Sequence, residues 1–271
     1  MSAERRERAF MRAGAALMAA FCLGPFLYMF AVSLSSSPDL RGAWTLANYR
    51  AVLGTPSLHF GDYLLNSLAV SALSALFTVA IASPAAYAIT RLEMAGKAAV
   101  LFFVLAVSMF PQVSLIGYLF KLMSGLGLIN TYPALVAPYV AWILPLSLWI
   151  LVSYFAQIPR ELDRAAVMDG CSPLGTLWRV LLPVALPGVL STALLSFIFA
   201  FNEFIFALIL TTDHAARTIP VGIALFQGLH GEIPWGSIMA ASALSTAPVL
   251  ALTAFFQRHI IQGLTRGAVK G

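Results

Sequence analysis

Glu203 is the one acidic residue that lies well inside an apolar run of this 271-residue chain, and it directly follows Asn202. A charge placed in hydrocarbon costs about 3 kcal/mol or more, so such an acid should face a polar cavity or a partner. Three roles stay open for Glu203: a polar group in a substrate cavity, a hydrogen bond between helices near the outer boundary, or a proton relay. A relay usually needs several acids, and the sequence has no second acid at this depth.

Other catalytic chemistry has little support in the sequence. The chain contains no G-x-x-x-x-G-K-[ST] phosphate loop, no H-E-x-x-H and no G-x-S-x-G. His59, His214, His230 and His259 are scattered along the chain, so we predict no metal site. These absences favour a protein that is not an enzyme and binds no cofactor itself.

The most informative polar segment is 158–183, which combines clustered charge, small residues and helix punctuation between two apolar runs. Glu161 and Asp163 put negative charge near the amino end of a helix, and Gly170 can end it in a left-handed conformation. This pattern predicts a helix of about ten residues, which needs packing to persist. Ser172 and Pro173 then predict the N-cap and first position of a second helix.

Each of these two short helices should have a distinctive face. Three- and four-residue spacing places one set on a common side of the first helix: Leu162, Ala165, Ala166 and Asp169. An apolar stripe follows on the second helix: Leu174, Leu177, Trp178 and Leu181. Two interpretations remain, an amphipathic pair on the inner leaflet or a short helix that docks on a soluble partner, with the two alanines allowing close approach.

The rest of the chain predicts an all-α integral membrane protein. It is 60% hydrophobic and 10% charged, whereas soluble domains are about 25% charged. Apolar runs of roughly 20 residues, enough to cross a bilayer, recur along it. We predict a single membrane domain over 1–271 with six spans: 9–34, 63–89, 98–123, 132–157, 184–211 and 236–261.

The basic residues indicate the orientation of these spans. The side that holds both termini would carry twelve of the sixteen lysines and arginines, and the other side four. By the positive-inside rule both termini and the 158–183 segment are expected in the cytoplasm. The net charge of +5 does not indicate nucleic acid, because the basic residues sit at the ends of apolar runs and form no soluble basic face.

Several stretches resemble one known family. The run IPRELDRAAVMDGCSPLGTLWRVLLPVALPG is similar to the EAA loop of the permease subunits of ATP-binding cassette importers, whose pattern is E-A-A-x-x-x-G. The resemblance continues in NSLAVSALSALFTVAIASPAAYAITRLEMAGK, in FNEF and in the terminal FQRHIIQGLTRGAVKG, and it indicates the smaller sugar-importer permease of the maltose-transporter type.

The resemblance implies a coupling helix between spans four and five that sits in a groove of a cytoplasmic ATPase. Its residues here would be Glu161, Leu162, Asp163, Arg164, Ala165, Ala166, Met168, Asp169 and Gly170. Arg164 stands where the family has glutamate, which puts the family's salt bridge to the ATPase in doubt.

The resemblance also implies a set of partners and a substrate pathway. The partners would be a second permease, two ATPase copies that hold ATP and Mg, an extracytoplasmic sugar-binding protein and membrane lipid, in a bacterial or archaeal inner membrane. The substrate would be a di- or oligosaccharide such as trehalose or maltose. Asn202 and Glu203, and more weakly Gln112 and Ser114, are the candidates for lining the pathway. The rival hypotheses are a proton-coupled transporter that uses Glu203 and a membrane scaffold that recruits a partner.

Overall fold

A computed structural model of the chain describes residues 3–226 and 233–268, with the side chains of residues 7, 10–226 and 233–257. His230 and residues 269–271 of the tail lie outside the described residues, as does the side chain of His259. The described part is helical, apart from an isolated antiparallel bridge between Ser35 and Trp44. Its α-helices are α1 (Ala3–Ser33), α2 (Ala47–Gly54), α3 (Phe60–Arg91), α4 (Lys97–Ser108), α5 (Gln112–Gly125), α6 (Tyr132–Ala156), α7 (Glu161–Met168), α8 (Pro173–Thr176), α9 (Leu182–Val184), α10 (Leu186–Phe201), α11 (Ile205–Leu210), α12 (Ile219–Ala224) and α13 (Trp235–Ala268). A 3₁₀ turn covers Pro56–Leu58, and a π-helical turn, Leu177–Leu181, joins α8 to α9.

Four of the described helical stretches are long and apolar enough to cross a membrane: Phe10–Ser33, Pro56–Arg91, Tyr132–Ala156 and Trp235–Gln257. Two further stretches reach that length only as bent pairs. α4 and α5 meet at 87°, and Pro173–Val184 meets α10 at 83°. The described residues therefore contain four candidate membrane spans, or up to six if each bent pair counts as one crossing.

The break between α4 and α5 differs from the continuous span expected over 98–123. Met109, Phe110 and Pro111 separate the two helices, and Pro111 adopts an extended conformation with ψ of 126°. Proline has no backbone N–H to donate to the preceding turn, so a helix cannot run through this position without losing a hydrogen bond. Gln112 therefore begins a new helix instead of continuing the old one.

The chain forms two compact bodies, one of residues 1–60 with 223–247 and the other of residues 61–222 with 248–271. In the smaller body Val32 and Val52 are almost completely buried. The Asn48 side-chain amide donates to the carbonyl oxygens of Ser33 and Ser35 at 3.0 and 2.9 Å, which fixes α2 beside the end of α1. The prediction of one domain over 1–271 stays a prediction.

The larger body packs around α6, whose faces contact α4, α10 and α11. One apolar cluster surrounds Leu135 and Tyr139, and a second surrounds Leu151 and Phe155. Gly188 of α10 lies directly against a ring of α6, because a Cβ built at Gly188 would come within 2.6 Å of the Tyr154 ring. This close approach lets α10 pack directly on α6.

Candidate functional site

The α7 helix is short, and Gly170 lies just after its end in a left-handed conformation, as the sequence predicts. It covers eight residues, Glu161–Met168, whereas about ten were expected. Gly170 has φ of +79°, a conformation that costs residues with a Cβ about 1–2 kcal/mol. The Cys171 N–H donates to the Ala166 carbonyl at 2.9 Å and the Gly170 N–H to that of Val167 at 3.0 Å, so two of the carbonyls at the end of α7 are satisfied. The glycine stop is confirmed.

The start of the second short helix is also confirmed. Ser172 is extended and its Oγ accepts a hydrogen bond from the Gly175 N–H at 3.2 Å, while Pro173 opens α8. The predicted apolar stripe is wrong, however, because its four members divide between two environments. Leu177 and Leu181 are fully buried, whereas Leu174 and Trp178 are exposed. The π-helical turn widens the helix here, and the four residues no longer follow one regular stripe.

An ion pair joins the end of α3 to α7. The Arg91 Nε lies 3.2 Å from Asp163 Oδ2, and these side chains are only 6% and 18% exposed. The Nη2 of Arg91 also donates to the Ile158 carbonyl at 2.7 Å, just before α7. In the opposite direction, Arg160 donates to the Thr90 carbonyl at 3.2 Å. The end of α3 is therefore joined to the amino-terminal end of α7 by three polar contacts.

The face of α7 that points outward differs from the predicted one. Ala166 is 4% exposed and packs within the chain, so the prediction that both alanines offer a contact surface is wrong for Ala166. Ala165 and Asp169 are exposed, and Leu162 is at the edge of exposure. Asp163 turns inward to reach Arg91, which rotates Ala166 toward the body of the protein.

The exposed side chains of α7 form a mixed surface. Met168 is 88% exposed and Val167 64% exposed, and Glu161 and Arg164 are also exposed. The sequence analysis did not predict that Val167 is exposed, because the three- and four-residue spacing selected the face that carries the two alanines. The predicted contribution of α7 to coupling stays a prediction.

Glu203 lies at a break between two helices. α10 ends at Phe201 and α11 begins at Ile205. The Glu203 carboxylate accepts the backbone N–H groups of Phe206 at 2.9 Å and Ala207 at 3.2 Å, which are among the unpaired donors of the first turn of α11. The Asn202 side-chain amide donates back to the Ile198 carbonyl at 2.8 Å. Asn202 thus bonds to the end of α10 and Glu203 to the start of α11. The sequence analysis predicted one continuous span over 184–211 and therefore did not indicate this role.

Tyr139 was missed by sequence reasoning. Its ring is buried against Phe206, with ring centroids 6.5 Å apart, and its hydroxyl is buried near Glu203 without a hydrogen-bond partner among the described residues. Gln112 begins α5 and is half-buried, while Ser114, two residues further on, is exposed. α11 packs against both α5 and α6, so the two pairs of pathway candidates belong to neighbouring elements.

The loop after α11 is tied to the starts of α3 and α6. The Asn66 amide donates to the carbonyls of His214 and Arg217 at 2.9 and 3.0 Å, and the Tyr132 hydroxyl donates to Asn66 Oδ1 at 2.6 Å. A ligand atom of His214 lies within 4.8 Å of one from Asp62. The prediction of no metal site rested on the scatter of the histidines along the sequence, and it stays a prediction.

Comparison with known proteins identifies the family. The family described as "Binding-protein-dependent transport system inner membrane component" matches residues 81–266, which include α7, Gly170 and Glu203. This match covers more than half of the chain. The chain belongs to this family.

Individual members of this family are similar to the chain over all or nearly all of its length. The trehalose/maltose transport system permease protein MalG of Thermococcus litoralis is 55% identical over 277 residues, covering 100% of both chains. The trehalose transport system permease protein SugB of Mycobacterium tuberculosis is 38% identical over 262 residues, covering 94% of this chain and 95% of that protein. The resemblance found in the sequence is confirmed.

The fold is also found in chains of solved ABC transporter structures. A crystal structure of a bacterial ABC transporter involved in the import of the acidic polysaccharide alginate contains a chain with a TM-score of 0.79 at 21% identity, covering 95% of this chain and 98% of that one. A second alginate transporter structure, in complex with a periplasmic protein that holds an alginate pentasaccharide, gives a TM-score of 0.69 at 17% identity, with 97% of each chain covered.

Proposed function

We propose that this chain forms half of the translocation pathway of an ATP-driven carbohydrate importer, with a di- or oligosaccharide such as trehalose or maltose as its substrate. The full-length identity to a trehalose/maltose permease supports this class of substrate. The trehalose permease adds support from a more distant relative.

Six membrane crossings in the inner membrane of a bacterium or archaeon fit this function. The two bent helix pairs each supply one crossing beside the four long helices. With twelve lysines and arginines on one side and four on the other, the termini and the 158–183 segment face the cytoplasm. The loop after α11 then faces outward, where an extracytoplasmic sugar-binding protein delivers its cargo. Membrane lipid covers the outer faces of the spans.

The observation that carries the proposal is that one side of α7 is joined to α3 while the opposite side is exposed. Its Asp163 side is joined to Arg91 at 3.2 Å, whereas Met168 stands out from its opposite side with 88% exposure. A helix of eight residues is marginal alone and persists because it is packed. In this arrangement α7 fits a groove of a cytoplasmic ATPase, and its movement is passed directly to α3.

The partners complete the transport cycle. Two ATPase copies bind ATP and Mg and hydrolyse the nucleotide, and a second permease supplies the other half of the pathway. Closure of the ATPases moves the docked helices, and the spans open alternately to the two sides. This chain itself catalyses no reaction.

The sugar pathway runs past the break between α10 and α11. Backbone outside a regular helix is tolerated at membrane depth where it is buried in protein or lines a water-filled cavity. Asn202 and Glu203 stand at such a break, and Gln112 and Ser114 follow the similar break at Pro111. These four residues are the candidates for polar contacts with sugar.

The test uses the assembled importer in proteoliposomes. ATPase activity should rise when binding protein and sugar are added together on the outer side, and sugar uptake should continue when an ionophore removes the proton gradient. Uptake that stops with the proton gradient while ATP is constant would favour a proton-coupled transporter. An ATPase rate that does not change when binding protein and sugar are added would favour a membrane scaffold.

A further inference from the structure

A cavity of about 280 Å³ opens beside α7 and is unusually rich in arginine. Its charged wall consists of Arg91, Arg160, Arg164 and one acid, Asp163. The space is several times the roughly 30 Å³ that a water molecule occupies in the liquid. It has room for a side chain from outside together with water.

The charges of this wall do not balance. Arg91 neutralises Asp163, to which it is paired at 3.2 Å. Arg160 donates to the Thr90 carbonyl, which carries no net charge. The Arg164 side chain has no hydrogen-bond or ion-pair partner within the part of the chain that the structure describes. The cavity therefore keeps two uncompensated guanidinium groups, a combination that suits a carboxylate with its two acceptor oxygens.

The side chains around Arg164 indicate that the anion that pairs with these arginines comes from a protein and not from a lipid. Val167 and Met168 follow Arg164 by three and four residues, lie on the same side of the helix and are 64% and 88% exposed. α7 is only eight residues long, and Ala166 on its apolar side is buried within the chain, so its exposed apolar surface is confined to a few side chains around Val167 and Met168. Because leaflet binding scales with the apolar area that a helix buries, this small surface favours a protein groove. A protein groove with an apolar floor and an acidic rim satisfies both the side chains and the charge.

We propose that an aspartate or glutamate of the cytoplasmic ATPase subunit enters this cavity and pairs with Arg164 and Arg160. The proposal rests on the docking of α7 on that ATPase. It adds that the acidic partner lies on the ATPase, because the permease side of this contact is basic. The cavity then selects ATPases that carry an acid at this point and rejects those that carry a base.

The experiment co-expresses the permease with the importer's own ATPase and measures how much ATPase remains bound after purification at low and high salt. Arg164→Glu should lower the apparent affinity at least about tenfold, because a like charge now faces the acid. Arg164→Lys should retain most of the binding but with a steeper loss in salt. Arg179→Glu is the matched control, since Arg179 is exposed in the same segment but does not line the cavity.

A charge exchange identifies the partner. Acidic residues of the ATPase are replaced one at a time by lysine in combination with Arg164→Glu, and one such pair should restore binding and uptake. Equal ATPase retention by Arg164→Glu and the wild type overturns the inference while leaving the docking of α7 intact. Loss of a co-purified anionic phospholipid without loss of ATPase also overturns it and assigns the cavity to a lipid headgroup. Failure of the wild-type chain to retain any ATPase refutes the proposed function itself.

Discussion

Arg91 at the end of α3 and Asp163 in α7 form an ion pair of 3.2 Å, and both side chains are largely buried. The two residues are far apart in the sequence, and their ion pair links α3 directly to α7. A buried pair is a weak source of net stability, but the loss of one partner leaves the other charge largely buried and unpaired. The consequence is a fixed position for α7 relative to α3.

Replacing Arg91 by methionine should lower the free energy of unfolding by about 3 kcal/mol, because the Asp163 carboxylate would lose its counter-charge. Thermal unfolding in detergent measures this loss. The double variant Arg91→Met/Asp163→Leu should recover much of it, since neither charge remains. Arg179→Met serves as the control because Arg179 is exposed, and equal unfolding temperatures of the single and double variants would exclude a coupling between Arg91 and Asp163.

Gly170 should matter through its backbone alone. No heavy atom lies within 4 Å of a Cβ built at this position, so a larger side chain has space, but φ of +79° is strained for residues with a Cβ. Gly170→Val should therefore destabilise the end of α7 by about 1–2 kcal/mol and reduce ATPase retention and uptake. Gly170→Asn is the matched control because asparagine tolerates this conformation. Full uptake by Gly170→Val would show that the glycine stop is dispensable.

Local signals in the sequence predicted the ends of the short helices well but not their surroundings. Gly170 and Ser172 act through bonds within a few residues, so their types and spacing are enough. The Arg91–Asp163 pair depends on the packing of α3 against the 158–183 segment, and no local pattern indicates it. The break at Glu203 was hidden because the flanking residues stay apolar on both sides, which is typical of a continuous span. Tyr139 likewise became a candidate only when Phe206 and Glu203 were brought beside it.

Gly188 should be essential to the contact between α10 and α6. A methyl group there would approach the Tyr154 ring to 2.6 Å, so the ring or the helix must move. Gly188→Ala should cost about 1–3 kcal/mol of stability through overpacking. Gly117→Ala in α5 is the matched control: nothing lies within 4 Å of its added Cβ, and the change should be neutral or stabilising by up to about 1 kcal/mol. Similar unfolding temperatures for both variants would contradict the close packing of α10 on α6.

Glu203 should contribute to stability as a helix cap and not as a proton carrier. Glu203→Ala removes the acceptor for the Phe206 and Ala207 N–H groups and should cost about 1–2 kcal/mol. Glu203→Gln keeps one carbonyl acceptor, so its unfolding temperature should fall between those of Glu203→Ala and the wild type. ATP-driven uptake by Glu203→Gln should persist. An uptake rate that falls to zero in Glu203→Gln while its stability is preserved would show that transport needs the carboxylate itself, and wild-type uptake that also stops with the proton gradient would then assign a proton relay.

The loop after α11 should loosen only in acid. Hydrogen bonds from the Ala215 N–H and from the Asn130 side chain hold the pKa of the Asp213 carboxyl below its ordinary value of about 3.9. Because the pKa is lower in the folded loop, the stabilisation is complete above the ordinary value and disappears as the pH falls through the lowered one. Hydrogen exchange of residues 211–219, compared between the wild type and Asp213→Asn at each pH, isolates this contribution. The wild type should exchange more slowly than the variant at neutral pH and at the same rate in strong acid. A difference that grows as the pH falls would mean that the protonated form of Asp213, and not its carboxylate, holds the loop.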